Sequence, residues 1–424
     1  MGNFSSKVCL GIFQSRRTLN DETLLMSELG PPPPWLIFIF VNFIADLLRK
    51  MADKMTPPQI RMLEFGFAQQ KSALAYVIQK YKIADFIGDG HGPKSVQQIA
   101  TYTHTKNVAY IERFMYACAS IGMFKIDGEK RFSNTGLSAV LRRDHPNSMA
   151  GWIGHHYEIG SRVWCNFSKM FGPKGSDILA WNIAFPDFAF SPSNNKRGIW
   201  DMYDKNPQQE EQFTRMMEAL EGLGGLAMAT DGPFEGHSRF IDIGGSRGHF
   251  LTKILKMYRK STQTDNNDPK MTSGILFDLP SVVNIAKEVF DPELRKDKRI
   301  TFCPGDFFKV TTIPKIRNGD CIYLRYILHD WSDHEAMKIL RNLRLAIGDK
   351  RVSLLIGESA MPDRHRVGTP PAVHSIDMEM LAYFGEALER CPSYWKKMLN
   401  ETGFSMVAIH STRSLLAWIE ARPM

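Results

Sequence analysis

The chain has 424 residues, 43% hydrophobic and 23% charged, with a formal net charge of +8. That length accommodates two domains with real cores, and the composition excludes a disordered, fibrous or bilayer-packed chain. The Lys and Arg are spread without long runs, which points to a solvated basic surface and away from a nucleic-acid stripe.

Residues 1–55 form an N-terminal extension. Within it, "PPPPWLIFIFVNFIADLLRK" carries an apolar run from Trp35 to Leu48, interrupted by Asn42 and Asp46. The run is shorter than the roughly 20 residues a spanning helix needs, so no stable membrane insertion is expected. A docking helix at a dimer interface is the reading. Asp21, Glu22 and Glu28 weigh against a signal or transit peptide, while Lys7, Arg16, Arg17 and several serines keep plastid or mitochondrial targeting as the alternative to a cytoplasmic location.

Residues 56–235 read as a mainly helical domain. "IRMLEFGFAQQKSALAYVIQKYKIADFI" repeats apolar positions every three or four residues and stops at Gly88-Asp89-Gly90. "SVQQIA" and "NVAYIERFMYACASIGMF" predict two packed helices, and "FKIDGEKRFSNT" a hairpin turning at Asp127-Gly128. Helix, helix, hairpin is a winged-helix order, which makes a DNA-binding regulator the distant alternative. The second helix offers Glu112 and Arg113 among Tyr110, Ile111, Phe114, Met115 and Tyr116, a face suited to burial and not to base edges. No nucleic-acid partner is expected. "WNIAFPDFAFSPSNNKRGIWDMY" interleaves aromatics with loop-formers, and "EEQFTRMMEALEGLGGLAMA" is a Met-rich helix suited either to core packing or to an adaptable pocket.

After Gly236 the texture changes. "RFIDIGG", "SGILFDLP", "RITFCPGDFF", "CIYLRYIL" and "VSLLIGES" are short apolar strands alternating with helical stretches, the pattern of a doubly wound parallel sheet over residues 236–424. The six cysteines, Cys9, Cys118, Cys165, Cys303, Cys321 and Cys391, are far apart and form no CxxC or Cys/His cluster. No metal is expected, and a reduced compartment is.

"RFIDIGGSRGHF" ends a strand in Asp242 and follows it with Gly244, Gly245 and Gly248. Glycines there permit a tight turn and close ligand approach. A dinucleotide fingerprint would place glycine where Ile243 stands. An acid before the turn suits a cofactor bearing an ammonium and a sulfonium, and S-adenosylmethionine fits. Asp278 ends the second strand, where a carboxylate can accept ribose hydroxyls. The insertion "RKSTQTDNNDPKMTS" lengthens the gap between them. Asp306 and Phe307 end the third strand and can bracket adenine; Arg325 ends the fourth. Beyond Arg325, "CIYLRYILHDWSDHEAMKIL" sets His329 at a strand's carboxyl end, where ligands sit and imidazole is a candidate proton acceptor.

With "DIGGSRGHF", "FDLPSVV", "PGDFF", "LHDWSD" and "GESAMPD" in this order, the chain resembles the small-molecule O-methyltransferases related to caffeate and acetylserotonin methyltransferases, over roughly residues 60–420. The resemblance implies a Rossmann-like domain binding S-adenosylmethionine and an N-terminal all-helical, winged-helix-type domain. That domain would form a homodimer and cover the acceptor. The resemblance also implies His329 as general base, flanked by Glu358 of "LLIGES" and Glu389 of "ALERCPSYW". Where the family has Gly-Gly-Gly-Thr-Gly, this chain has Ser246-Arg247 before Gly248. Arg247 would meet the cofactor carboxylate or solvent.

Two acceptors follow. The first is a phenol or hydroxyindole, whose proton His329 would take. The second is 4-methylthio-2-hydroxybutyrate, because the family also resembles algal and coral S-methyltransferases of dimethylsulfoniopropionate synthesis. A thioether needs no base; it needs a cationic anchor from Arg162, Arg197 or Arg215 and aromatic faces from Tyr157, Trp164, Trp181, Trp200 or Tyr203. Hydroxyl methylation leads, because the His/Glu set is complete.

Overall fold

A computed structural model describes residues 31–173, 178–191, 196–258, 271–359, 361–362 and 371–424. The candidate targeting residues Lys7, Arg16 and Arg17 and most of the insertion after residue 258 lie outside the described residues. The chain gathers into two compact units, residues 1–162 with 203–223, and residues 163–202 with 224–424. The sequence suggested a linear boundary near residue 236. The units interleave instead: the 180–200 segment belongs with the sheet, where Trp181 packs 5.4 Å from Tyr383 and Phe190 packs 5.4 Å from Phe384.

The first unit starts with helix α1 (Trp35–Met55), which buries no residue and exposes Leu36, Phe40, Phe43 and Leu48. Among the described residues no helix is long and apolar enough to cross a membrane. The apolar periodicity between residues 59 and 87 is carried by three helices, α2 (Pro58–Gly66), α3 (Ala68–Lys80) and α4 (Ile83–Ile87). Lys82 breaks the last junction with φ of 55°, a left-handed conformation that a continuous helix cannot hold.

Next come strand β1 (Lys94–Ser95), helix α5 (Val96–Tyr102) and helix α6 (Val108–Ser120). Ser95 and Gln98 form a capping box on α5, satisfying two otherwise orphaned N–H groups. Strands β2 (Phe124–Ile126) and β3 (Arg131–Asn134) pair as the hairpin, with β1 on the other side of β3. The turn is longer than Asp127-Gly128 alone. The Asp127 carboxylate accepts the N–H groups of Glu129 and Arg131 and organises a four-residue loop. Helix α6 turns Ile111, Met115 and Cys118 into a core with Ile78, Ile83, Ile99 and Phe132. Tyr110 and Tyr116, expected to be buried, instead stay exposed on the outward face beside Glu112 and Arg113; that face carries a single cation, Arg113, where a base-reading helix carries several.

The second unit is built on strands β4 (Arg239–Ile243), β5 (Ser273–Asp278), β6 (Ile300–Pro304), β7 (Cys321–Arg325) and β8 (Ser353–Ser359), all mutually parallel. These are the five expected strands. Two more, β9 (Phe404–Ser411) and β10 (Leu416–Pro423), add an antiparallel hairpin beside β8, giving the order β9-β10-β8-β7-β4-β5-β6.

Helices cover both faces, because central parallel strands are apolar on both sides. Helix α7 (His249–Met257) buries Phe250, Leu251, Ile254 and Leu255, and helix α8 (Asp333–Ile347) buries Ala336, Ile339, Leu340, Leu343 and Ile347. Helix α9 (Pro371–Phe384) and helix α10 (Pro392–Glu401) flank an irregular segment holding Glu389 and Arg390. The register aligns Asp278 with Pro304 and Arg325 with Gly357, so the strand carboxyl ends gather at one edge. Ligands of open α/β sheets bind there.

Candidate active site

The glycine turn follows β4. Gly244 has φ of +75°, and a Cβ there would lie 2.4 Å from Ile327 Cδ1. Gly248 has φ of +80°, and a Cβ would meet Phe290 at 2.4 Å. Both the conformation and the space demand glycine. A Cβ on Gly245 would sit 2.6 Å from the Asp242 carboxyl carbon, so the buried Asp242 lies directly beneath the turn. Ser246 occupies a left-handed conformation, φ of 50°, where the related pattern has glycine. Its N–H donates to Asp278 Oδ2 at 2.8 Å, and the Leu279 N–H donates to Oδ1 at 2.7 Å. Burial raises the Asp278 carboxyl above its ordinary value, against those two N–H groups. Arg247 is half-buried.

Asp306 accepts the N–H of Phe308 at 2.9 Å, and Asn342 holds the Phe307 carbonyl at 3.0 Å. Phe307, Phe308 and Trp331 pack edge to face, with centroids 4.8 to 5.9 Å apart. The Arg325 guanidinium lies over the Phe250 ring at 4.4 Å. Acids, glycines and aromatics thus stand together at one sheet edge. Carboxylates there suit hydroxyls and a cationic cofactor and would repel a pyrophosphate. The residues present fit S-adenosylmethionine.

The base turn adjoins this edge through Gly244 and Ile327. Tyr326 leaves β7 with φ of 57°, a strained conformation for an aromatic residue, and the chain enters a 3₁₀ turn over Leu328–Asp330. His329 is buried within it. Its Nδ1 lies 2.6 Å from Glu389 Oε1 and 3.6 Å from Glu358 Oε2, and its Nε2 lies 3.5 Å from Asp330 Oδ1. Glu358 Oε1 accepts the N–H groups of Ile327 and Leu328 at 3.1 and 2.8 Å. Glu389 is held in turn, its own N–H donating to Asp377 Oδ1 at 2.9 Å. The neutral imidazole therefore carries hydrogen on Nδ1, toward Glu389, and presents a lone pair on Nε2.

Burial alone would push the His329 imidazolium down, but Glu358, Glu389 and Asp330 outweigh it and hold its pKa well above the ordinary value. Burial, assisted by Glu389 and Asp330 and opposed by His329, lifts Glu358 to about 7. Burial also lifts Asp330 to about 6. Crowded carboxylates around one imidazole make a strong proton acceptor, the property a general base requires. The ligand atoms of His329, Glu358 and Glu389 lie within 4.8 Å of one another, close enough to hold a cation. At 2.6 Å, the contact between Nδ1 and Glu389 has the length of a strong hydrogen bond.

The candidate thioether anchors and aromatics have the following local surroundings. Arg197 is bonded to Asp201, and Arg215 lies on the surface beside Glu211 at 3.1 Å. Arg162 and Trp164 are exposed. Trp181 is fully buried, donating to the Phe188 carbonyl, and Tyr203 is bonded to His155. Trp200 stacks on Phe384, and Tyr157 stacks on Tyr76. Trp331, at the end of the base turn, and Arg390, which donates to the Leu328 and Trp331 carbonyls, lie beside the candidate site and are not singled out in the sequence. Trp331 was visible as the third residue of His-Asp-Trp; Arg390 carried no signal beyond its place after Glu389.

Comparisons with known proteins identify the family. An O-methyltransferase domain matches residues 186–405, and an O-methyltransferase dimerisation domain matches residues 64–144. The phenazine O-methyltransferase PhzM of Lysobacter antibioticus is 29% identical over 350 residues, 82% of this chain and 92% of that protein. O-methyltransferase 4 of Dictyostelium discoideum is 31% identical over 284 residues, 65% of this chain and 72% of the relative. Human N-acetylserotonin methyltransferase, solved with S-adenosylmethionine, shares the fold with a TM-score of 0.73 at 21% identity, covering 87% of this chain and 99% of that one. The chain belongs to the S-adenosylmethionine-dependent O-methyltransferase family.

Proposed function

We propose that this protein methylates a hydroxyl of a small aromatic molecule, a phenol or hydroxyindole, with His329 as general base. The carrying observation is the buried 2.6 Å contact between His329 Nδ1 and Glu389 Oε1, which leaves Nε2 as the proton acceptor. Asp242, Gly244, Gly245, Gly248, Asp278, Asp306, Phe307 and Arg325 are the residues that would hold S-adenosylmethionine. When bound, that cofactor supplies an electrophilic methyl carbon on a sulfonium. A phenol is a weak nucleophile until its proton leaves. His329 takes that proton during attack, and Glu389 and Glu358 stabilise the imidazolium that forms. The phenazine and N-acetylserotonin named for the relatives are aromatic, in keeping with a flat acceptor. The domain at residues 64–144 supports a homodimer. The test is His329→Ala. Its methyl transfer to an aromatic hydroxyl should fall on the order of 10²-fold or more with cofactor affinity kept; a small effect would count against proton abstraction.

A further inference from the structure

We propose that Arg390 is a positioning residue for His329, fixing the backbone of the base turn while its neighbour Glu389 fixes the ring. This deepens the reading of His329 as base and rests on it.

The Arg390 side chain is wholly buried, which is rare for arginine unless its charge is paired and hydrogen-bonded. Nη1 donates to the Leu328 carbonyl at 2.7 Å, and Nη2 donates to the Trp331 carbonyl at 2.8 Å. Those two carbonyls bracket His329. Nε donates to Asp333 Oδ1 at 3.0 Å, the first residue of α8, and the guanidinium lies 5.6 Å from the Trp395 ring centre. One planar fork thus ties both sides of the base turn to the start of the next helix. Lysine, with a single point of charge, cannot reproduce that geometry.

The turn needs such a restraint. It follows Tyr326 in a strained conformation, which persists only where surrounding contacts over-determine it. Glu358 holds the entrance by accepting the Ile327 and Leu328 N–H groups. Arg390 holds the exit through carbonyls. Because Glu389 and Arg390 are consecutive, any shift of the turn relative to Arg390 also shifts Nδ1 relative to Glu389 Oε1.

The experiment compares Arg390→Lys and Arg390→Met with wild type in the full-length chain. It reads methyl transfer, cofactor affinity by calorimetry and the His329 ring signals by histidine-selective NMR, assigned with His329→Gln. The expected result is a fall in kcat of about 10- to 10²-fold at unchanged cofactor affinity, as a misplaced reacting group produces. The wild type should show a slowly exchanging Nδ1 proton on His329, and both variants should lose it. In the Glu389→Gln background, Arg390→Met should add little, because both act through one ring. A fall in thermal midpoint alone, with the Nδ1 signal and the kcat of folded protein retained, would overturn the inference. The NMR readout needs no acceptor. Its change in the variants supports the inference even if aromatic hydroxyls prove not to be methylated, so the two readings fail separately.

Discussion

Replacing Glu389 with glutamine removes one charge and almost no volume from the base cluster. The lost contact is a buried, charge-assisted hydrogen bond of 2.6 Å to His329 Nδ1. Such bonds are worth about 1.5 to 3 kcal/mol. At about 1.4 kcal/mol per tenfold, the loss predicts a fall of roughly 10- to 10²-fold in kcat. The glutamine amide can also donate to Nδ1, which would place the ring hydrogen on Nε2 and remove the acceptor. That pushes the effect toward the larger figure.

The pH profile should move as well. His329 must be neutral to act, and its raised pKa keeps it protonated above the ordinary imidazole range, so wild-type kcat/KM should climb as pH rises through that pKa. Removing an anion lowers the pKa, so the climb in Glu389→Gln should occur at lower pH. Steady-state methyl transfer across pH, with cofactor binding measured separately, reads both effects. An unchanged kcat and an unmoved limb would refute the coupling.

Other outcomes follow from the same geometry. Asp278→Asn keeps an acceptor toward Ser246 but loses the charge facing the expected ribose hydroxyls, so the Kd for S-adenosylmethionine should rise about tenfold with kcat little changed. Gly244→Ala places a methyl group 2.4 Å from Ile327 Cδ1 at a φ of +75°; calorimetry should show lost cofactor binding and thermal denaturation a lowered midpoint. His155 is held neutral by burial, with its pKa pushed down to about 3 from 6.5. The unfolded chain therefore binds this proton below pH 6.5 and the folded chain does not. The stability it contributes is complete above 6.5 and declines toward pH 3, by up to on the order of 5 kcal/mol. Denaturant melts across that window should show the slope, and His155→Leu should flatten it.

Much of the cofactor edge was legible because it depends on local chain properties. Strand, acid, glycine turn and helix follow one another within "RFIDIGGSRGHF", and backbone conformation alone requires glycine at positions 244 and 248. The His329–Glu358–Glu389 cluster was not readable from spacing. Glu389 lies 60 residues from His329, and only the family resemblance joined them. Arg390 was hidden for a related reason. An arginine reads as surface by default, and its burial depends on carbonyls 59 and 62 residues away in the chain. The antiparallel hairpin β9-β10 was also missed. Its second strand is an almost continuously buried run, which gives no period-2 alternation to mark it.

The most direct measurement is the identity of the methylated atom. Purified protein with S-adenosylmethionine is offered N-acetylserotonin and related phenols in one reaction and 4-methylthio-2-hydroxybutyrate in another, with products resolved by mass. Base-assisted transfer predicts a methyl ether from the hydroxylated aromatics, lost in His329→Ala. A sulfonium product from the thioether, formed equally well without His329, would contradict it.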